Sequence, residues 1–265
     1  MSAPTSIANI FTAPAGKPAP VGRALFNYLL VCIAVVVLFW VSLGVAGISL
    51  NFDFVGKYGT RIAQGFFMTV KLSLASLVLS LLIGIPVAVG QSSRILVLRY
   101  LCDLYVKIIR GTPLLAQIYL FYYIIGTAWG INDKFIAGVI ILSVFSGAYI
   151  AEIMRGSLLS LDKTQLEAAR AVGFTRMQTV RYVIIPQMVA RTLPALTGQF
   201  ASIVKDSSLM SVIAVIELTQ TMREISATNF NLFGCYLLLG ALYLCLTLPI
   251  MFISKYFERR LTYEH

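Results

Sequence analysis

Apolar residues fall in long blocks separated by short polar punctuation, and the blocks have the length of a bilayer crossing rather than of a soluble core helix. The first runs from Leu25 to Ile48 without a charge. Others run from Phe66 to Val89, Leu101 to Ile125, Phe135 to Ile153, Leu193 to Ile216 and Phe233 to Ile253. The pattern predicts an all-α, polytopic membrane helical bundle with six transmembrane helices. The first block is too long for the apolar region of a cleaved signal peptide and reads as an uncleaved anchor. Residues 1–24, rich in Ala, Pro and Ser and without periodicity, read as a flexible tail.

Composition agrees with the bilayer as solvent: of 265 residues, 58% are hydrophobic and 12% charged. A net charge of +10 suggests nucleic acid in a soluble protein, so its placement matters. Arg155, Lys163, Arg170, Arg176, Arg181 and Arg191 crowd the one long polar interruption, with Lys17, Arg23, Arg94, Arg99, Lys255, Arg259 and Arg260 on the same side. The opposite connections hold only Lys57, Arg61, Lys134 and Arg223. The positive-inside rule places the long loop and both termini in the cytoplasm, and the basic excess needs no nucleic-acid partner.

Little here supports catalysis. The one histidine is His265, the last residue, and the four cysteines, Cys32, Cys102, Cys235 and Cys245, have no CxxC spacing, which suits buried structural thiols. Neither a metal site nor a catalytic set can be assembled, and an intramembrane enzyme is disfavoured.

The long loop contains two short helices that can be read from their end signals. Asp162 with Gln165 makes a capping-box-like start, and Gly173 supplies a left-handed stop, giving a helix from about Lys163 to Val172. Thr175 with Gln178 repeats the start, and Pro186 is expected to close the second helix at Ile185. The result is an elbow at Gly173. Glu167, Ala168 and Ala169 lie on its first helix, where small side chains permit close approach by another surface.

E-A-A-R-A-V-G followed by I-I-P-Q resembles the EAA loop of the permease subunits of ATP-binding-cassette (ABC) importers. The resemblance extends to G-F-F-M-T-V-K-L-S from Gly65, R-G-T-P-L-L-A-Q from Arg110, G-A-Y-I-A-E-I-M-R-G from Gly147, L-P-A-L from Leu193, and K-D-S-S-L with E-L-T between Lys205 and Thr219. Together these are similar to the polar amino-acid permeases of the histidine, glutamine, glutamate, arginine and opine group. Thr164 and the Ser157–Leu158 pair depart from that group's pattern, outside the Glu-Ala-Ala-Gly core.

The resemblance implies a type I importer core of five helices over residues 61–257, preceded by an additional helix and outer loop over 25–60 and followed by a cytoplasmic tail over 258–265. It implies multi-pass residence in the bacterial inner membrane and docking on an ATPase dimer through Asp162, Gln165, Glu167, Ala168, Ala169 and Gly173. A second permease subunit, identical or homologous, an extracytoplasmic solute-binding protein and a polar amino-acid substrate complete the implied system. ATP and Mg belong to the partner ATPase, since no G-x-x-x-x-G-K-[ST] segment is present and no cofactor is expected on this chain.

Charges at membrane depth need a separate account. Lys107, Arg110, Glu152 and Arg155 sit near cytoplasmic helix ends, where pairing is ordinary; Lys71 and Glu217 are placed near outer ends. Lys205 and Asp206, about eleven residues after Pro194, are placed near mid-depth at roughly 1.5 Å per residue and are expected to line a cavity. Ser207, Gln199, Thr112 and Glu152 complete the candidate substrate path. Pro86, Gly111-Thr112-Pro113, Pro194 and Pro249 mark expected helix breaks, the second contributing carbonyls to a ligand or shaping the bundle. A channel or ion-coupled secondary transporter using Lys205, Asp206 and Glu152 is the second reading.

Overall fold

A computed structural model describes residue 11 and residues 20–161 and 163–262. Asp162, and with it the capping-box start read there, lies outside the described residues, as does most of the tail read over residues 1–24. The chain separates into two units, Met1–Asn51 and Phe52–His265.

The first unit contains α1 (Val21–Val45), which begins inside the predicted tail and has no buried residue along its 25 positions. Its continuous Val, Leu, Ile and Phe surface is one that a bilayer can satisfy.

The second unit is built on α2 (Phe54–Gln91), α3 (Leu96–Gly111), α4 (Leu114–Tyr119, prolonged by a π-helical turn over Leu120–Gly126) and α5 (Lys134–Leu159). The elbow follows as α6 (Lys163–Ala171) and α7 (Arg176–Thr179), with a π-helix over Val180–Ile184 leading into α8 (Ile185–Asp206). A 3-10 helix (Ser207–Ile213), α9 (Leu218–Asn229) and α10 (Leu232–Thr262) complete the described chain.

α2 is 38 residues long, about 57 Å, and so extends well beyond the hydrocarbon layer. The sequence pattern starts it only at Phe66, because Gly56, Lys57, Gly59 and Arg61 interrupt the apolar run. Packing overrides that local signal: Phe54 and Ile62 are buried in a cluster with Leu218, Met222, Ile225, Cys235 and Leu239 from α9 and α10. Small residues then recur every third or fourth position of α2, with Gly65, Thr69, Ser73, Ser76, Ser80, Gly84 and Ala88 all buried. Gly65 and Thr69 lie against α9, and positions further along allow α5 to approach the α2 backbone. A Cβ on Gly84 would stand 2.8 Å from the Gly147 carbonyl oxygen, and Ser143 Oγ donates to the Ser76 carbonyl at 3.2 Å.

The predicted span from Leu101 to Ile125 is broken. α3 and the helical run from Leu114 to Gly126 meet at 110°. Pro113 forces Thr112 into an extended conformation (φ −123°, ψ 147°), which ends α3 at Gly111. α3 is also strongly amphipathic: Val97, Leu101, Leu104 and Ile108 are exposed along one face, with Arg99, Asp103 and Lys107 on the other.

The span expected over 193–216 is likewise interrupted: α8 starts at Ile185, ends at Asp206 and gives way to a tighter 3-10 segment that stops at Ala214 in the left-handed conformation (φ 56°). Four described helices are long and apolar enough to cross a membrane, and the bent α3–α4 pair makes up to five. Among the described residues the count of six spans is therefore not confirmed.

Three predicted proline breaks are also absent, since Pro86, Pro194 and Pro249 lie within continuous helices. Pro186 does not close the second loop helix either. It sits in the first turn of α8, directly after a π-helix whose wider turns require fewer i→i−4 donors.

Leu72, Ile118, Leu142, Phe145, Ala148, Ile203 and Met210 form the main core, drawn from α2, α4, α5, α8 and the 3-10 segment.

Candidate functional site

The elbow is determined by hydrogen bonds that the sequence encodes locally. Gly173 adopts φ +81°, where an L side chain is disfavoured. Its N–H donates to the Arg170 carbonyl at 3.0 Å, and the Phe174 N–H donates to the Ala169 carbonyl at 3.0 Å, which together make a Schellman stop for α6. Thr175 and Gln178 then form a reciprocal capping box: Gln178 N–H to Thr175 Oγ1 is 3.3 Å and Thr175 N–H to Gln178 Oε1 is 2.8 Å.

Two side chains tie this elbow to its flanking helices. Gln187 Nε2 donates to Gln165 Oε1, and Arg191 donates to both the carbonyl and the hydroxyl of Ser160, the latter at 2.9 Å. Gln165 is thus engaged inside the elbow. Glu167, Ala168 and Gly173 are exposed, whereas Ala169 is 5% exposed and buried where α6 meets the following helical turns. Of the two alanines read as an approach surface, Ala168 alone faces outward. Ala169 instead lets α6 close on its own elbow.

The candidate path residues are dispersed over three places. Lys205, Asp206, Ser207 and Gln199 lie on α8 or at its end, Thr112 lies at the α3–α4 break, and Glu152 lies on α5. Lys205 is exposed and Asp206 half-buried at the last turn of α8, and neither forms an ion pair among the described residues. They mark the end of α8. Ser207 is fully buried, its hydroxyl donating to the Val204 carbonyl at 2.8 Å, so it faces the core and not an open path.

Thr112 also serves the fold. Its hydroxyl donates to the Ile108 carbonyl at 2.8 Å, and the buried Gln117 donates through Nε2 to Thr112 Oγ1 at 2.7 Å and to the Ile109 carbonyl at 2.7 Å. The carbonyls freed by Pro113 are thereby taken up internally, which favours a shaping kink over a ligand contact.

Glu152 sits between two guanidinium groups. Arg155 Nε donates to its Oε2 at 3.0 Å and a second Arg155 nitrogen to Oε1, while Arg110 Nη1 lies 3.4 Å from Oε2. Arg110 also rests over the Tyr149 ring at 5.4 Å. The expected pairing at these helix ends is present, and it joins α3 to α5.

Lys71 is exposed near the middle of α2, because that helix begins at Phe54. Glu217 is fully buried as the N-cap of α9, accepting from the Thr219 and Gln220 N–H groups at 2.7 and 2.8 Å and from Tyr243 Oη at 2.9 Å. Cys102 and Cys235 are buried as expected, but Cys32 and Cys245 are exposed; all four are free thiols.

Comparison with known proteins accounts for this combination. Residues 80–263 match the family model described as the binding-protein-dependent transport system inner membrane component. The chain is 34% identical over 214 residues to a probable glutamine ABC transporter permease protein of Bacillus subtilis, covering 81% of this chain and 97% of that one. It is 36% identical over 202 residues to the glutamine transport system permease protein of Escherichia coli K12, covering 76% and 92%. It is 32% identical to an L-cystine transport system permease protein of Bacillus subtilis, covering 81% and 93%.

Among solved structures, an amino acid ABC transporter determined with histidines superposes with TM-score 0.75 at 36% identity, over 80% of this chain and all of that one. A methionine ABC transporter in an inward-facing conformation shares the fold with TM-score 0.64 at 21% identity, over 77% and 98%. None of these matches favours a channel or an ion-coupled transporter. The chain belongs to the family of binding-protein-dependent transport system inner membrane components, as a non-catalytic ABC permease subunit whose ATPase is a separate chain.

Proposed function

We propose that this permease carries a polar amino acid inward across the bacterial inner membrane and that its elbow at Gly173 transmits the motion of a partner ATPase dimer. The observation that carries the reading is the elbow itself, a rigidly capped projection presenting Glu167 and Ala168 outward while Arg191 and Gln187 secure its base. Glutamine and cystine relatives at 32–36% identity support the substrate class. The basic loop and termini face the cytoplasm under the positive-inside rule, and the solute-binding protein docks on the opposite side. A second permease subunit, identical or homologous, completes the path. ATP and Mg are bound by the ATPase. Lys205 and Asp206 act at the end of α8, where they meet the substrate or the second subunit.

Ala168→Trp, Gly173→Val and Glu167→Lys test the central claim. The first overpacks a docking cleft and the second opposes a left-handed backbone, each costing about 1–3 kcal/mol, and the third reverses a charge. The expected result is normal permease abundance with lost ATPase co-purification or uncoupled hydrolysis, and no uptake. Normal transport by all three variants overturns the coupling assignment. For orientation, single cysteines at Lys134 and Thr228 in a cysteine-free background react with an impermeant reagent from outside, and one at Lys163 does not; labelling at 163 in intact cells reverses the topology.

A further inference from the structure

Two adjoining cavities lie beside α3, and they differ in chemistry. The first, about 590 Å³, is lined by Arg99, Lys107, Arg110 and Arg155 against Asp103 and Glu152, four cations against two carboxylates and so a net +2. The second, about 470 Å³, is lined mainly by Val89, Leu98, Met154, Leu158 and Met188. Ser92 and Arg155 line both. A cationic cavity thus borders an apolar one at Ser92 and Arg155.

We infer that these paired cavities bind one anionic glycerophospholipid, its phosphate headgroup among Arg99, Lys107 and Arg110 and the start of an acyl chain between Val89, Leu98 and Met188. The inference rests on the membrane placement proposed above, because only a chain embedded there presents α3 to a headgroup layer.

Charge partitioning supports the headgroup assignment. Glu152 is already shared by Arg110 and Arg155, whereas Lys107 and Arg99 form no ion pair among the described residues. Asp103 accepts from Gln91 Nε2 at 2.9 Å. Gln91 is 8% exposed and keeps its amide oxygen without a partner, an acceptor available to a hydroxyl on a glycerol-type headgroup. Basic clusters beside a membrane gain about 1 kcal/mol per Lys or Arg from anionic lipid, enough to select among lipids.

Geometry supports the acyl assignment. The apolar face of α3, with Val97, Leu101 and Leu104 exposed, sets one face of the helix in hydrocarbon while its cationic face lines the chamber. A free anion would use the cationic chamber alone. An amphiphile uses both.

The test uses the intact complex of permease and ATPase, extracted from nanodiscs of equal phosphatidylglycerol and phosphatidylcholine, with retained lipids read by native mass spectrometry. Wild-type complex is expected to retain phosphatidylglycerol preferentially. Arg99→Ala and Lys107→Ala are each expected to cut that preference about fivefold. Val89→Trp, which fills the apolar cavity and leaves the charges in place, is expected to reduce retention as well, so misfolding of one variant does not leave the result open. Millimolar inorganic phosphate or glutamine is expected to leave the bound lipid in place.

Equal retention of the two lipids by wild type overturns the inference. Displacement by inorganic phosphate with no effect of Val89→Trp shows a simple anion site and overturns it too, and displacement by glutamine assigns the chamber to the transport path. ATPase co-purification from the same samples reports separately on the transport reading, so a wild-type complex that retains its ATPase but shows no lipid preference counts against the lipid site alone.

Discussion

Arg191, in the second turn of α8, donates two hydrogen bonds to Ser160, one to its carbonyl and one to its hydroxyl, and so closes the base of the elbow from the end of α5 to the start of α8. The two residues are 31 positions apart, and the loop between them is held at both ends. Motion delivered to α6 then reaches α5 and α8 together instead of being absorbed by the connection.

Removing that clamp should uncouple transport without removing the elbow. Arg191→Ala deletes a charged donor, worth about 1.5–3 kcal/mol where it bonds neutral acceptors, while the Schellman stop at Gly173 and the Thr175–Gln178 box remain. The expected outcome is retained ATPase co-purification with about tenfold less uptake per ATP hydrolysed. An unchanged ratio in reconstituted vesicles would show that the clamp is incidental.

Close packing between α2 and α5 predicts a sharp contrast among glycines of one helix. An added Cβ at Gly84 meets Ile150 Cγ2 at 2.7 Å and the Gly147 carbonyl at 2.8 Å, whereas nothing lies within 4 Å of one at Gly59. Gly84→Ala should destabilise the purified protein by about 1–3 kcal/mol, because a backbone atom must move. Gly59→Ala should be neutral or stabilising by up to about 1 kcal/mol. Thermal unfolding in detergent decides, and equal effects at the two positions would discount the close approach.

Glu152 should matter as a junction. Glu152→Gln leaves Arg110 and Arg155 without their shared carboxylate, although both side chains are over a third exposed and partly screened. A coupling of about 1 kcal/mol between Glu152→Gln and Arg155→Gln is expected in a double-mutant cycle read by thermal unfolding, falling as salt is raised. Strictly additive effects would mean the pair contributes nothing.

Lys205 and Asp206 give a prediction about function rather than stability. Asp206 is half-buried without an ion pair among the described residues and Lys205 is exposed at the end of α8, so Lys205→Ala and Asp206→Ala should lower uptake while leaving ATPase attachment unchanged. Loss for one amino acid among several would indicate direct ligand contact. Wild-type uptake in both variants would remove these residues from the path.

Much of the elbow was legible because it depends on local chemistry: Gly173, Thr175 and Gln178 make the bonds that their types and spacing predict. The apolar runs likewise located the long helices. What escaped was set by distant packing. Nothing local starts α2 at Phe54; the cluster with α9 and α10 does. The small-residue stripe from Gly65 to Ala88 was present in the sequence at helical spacing, and that period marks the close-packed face of α2 though not the helices that meet it. Glu217 went unrecognised because glutamate is not among the favoured N-caps; here Tyr243 helps hold it in that place. The end of α8 beside Lys205 and Asp206 was not legible either, because no residue type announces the switch from α to 3-10 winding at Ser207.

The π-helix over Val180–Ile184 gives residue number a mechanical meaning. A π turn accommodates one residue more than an α turn at the same place, so deleting a single residue there would let the segment relax to ordinary winding. Relaxation of the π turn to an α turn would leave the flanking segments in nearly the same phase, whereas a residue deleted from an ordinary α turn rotates everything upstream by about 100° relative to α8. Glu167 and Ala168 would then keep their bearing after the first deletion and lose it after the second, with their own helix intact. The π turn thus acts as slack in residue number, able to give up one residue without re-aiming the projection.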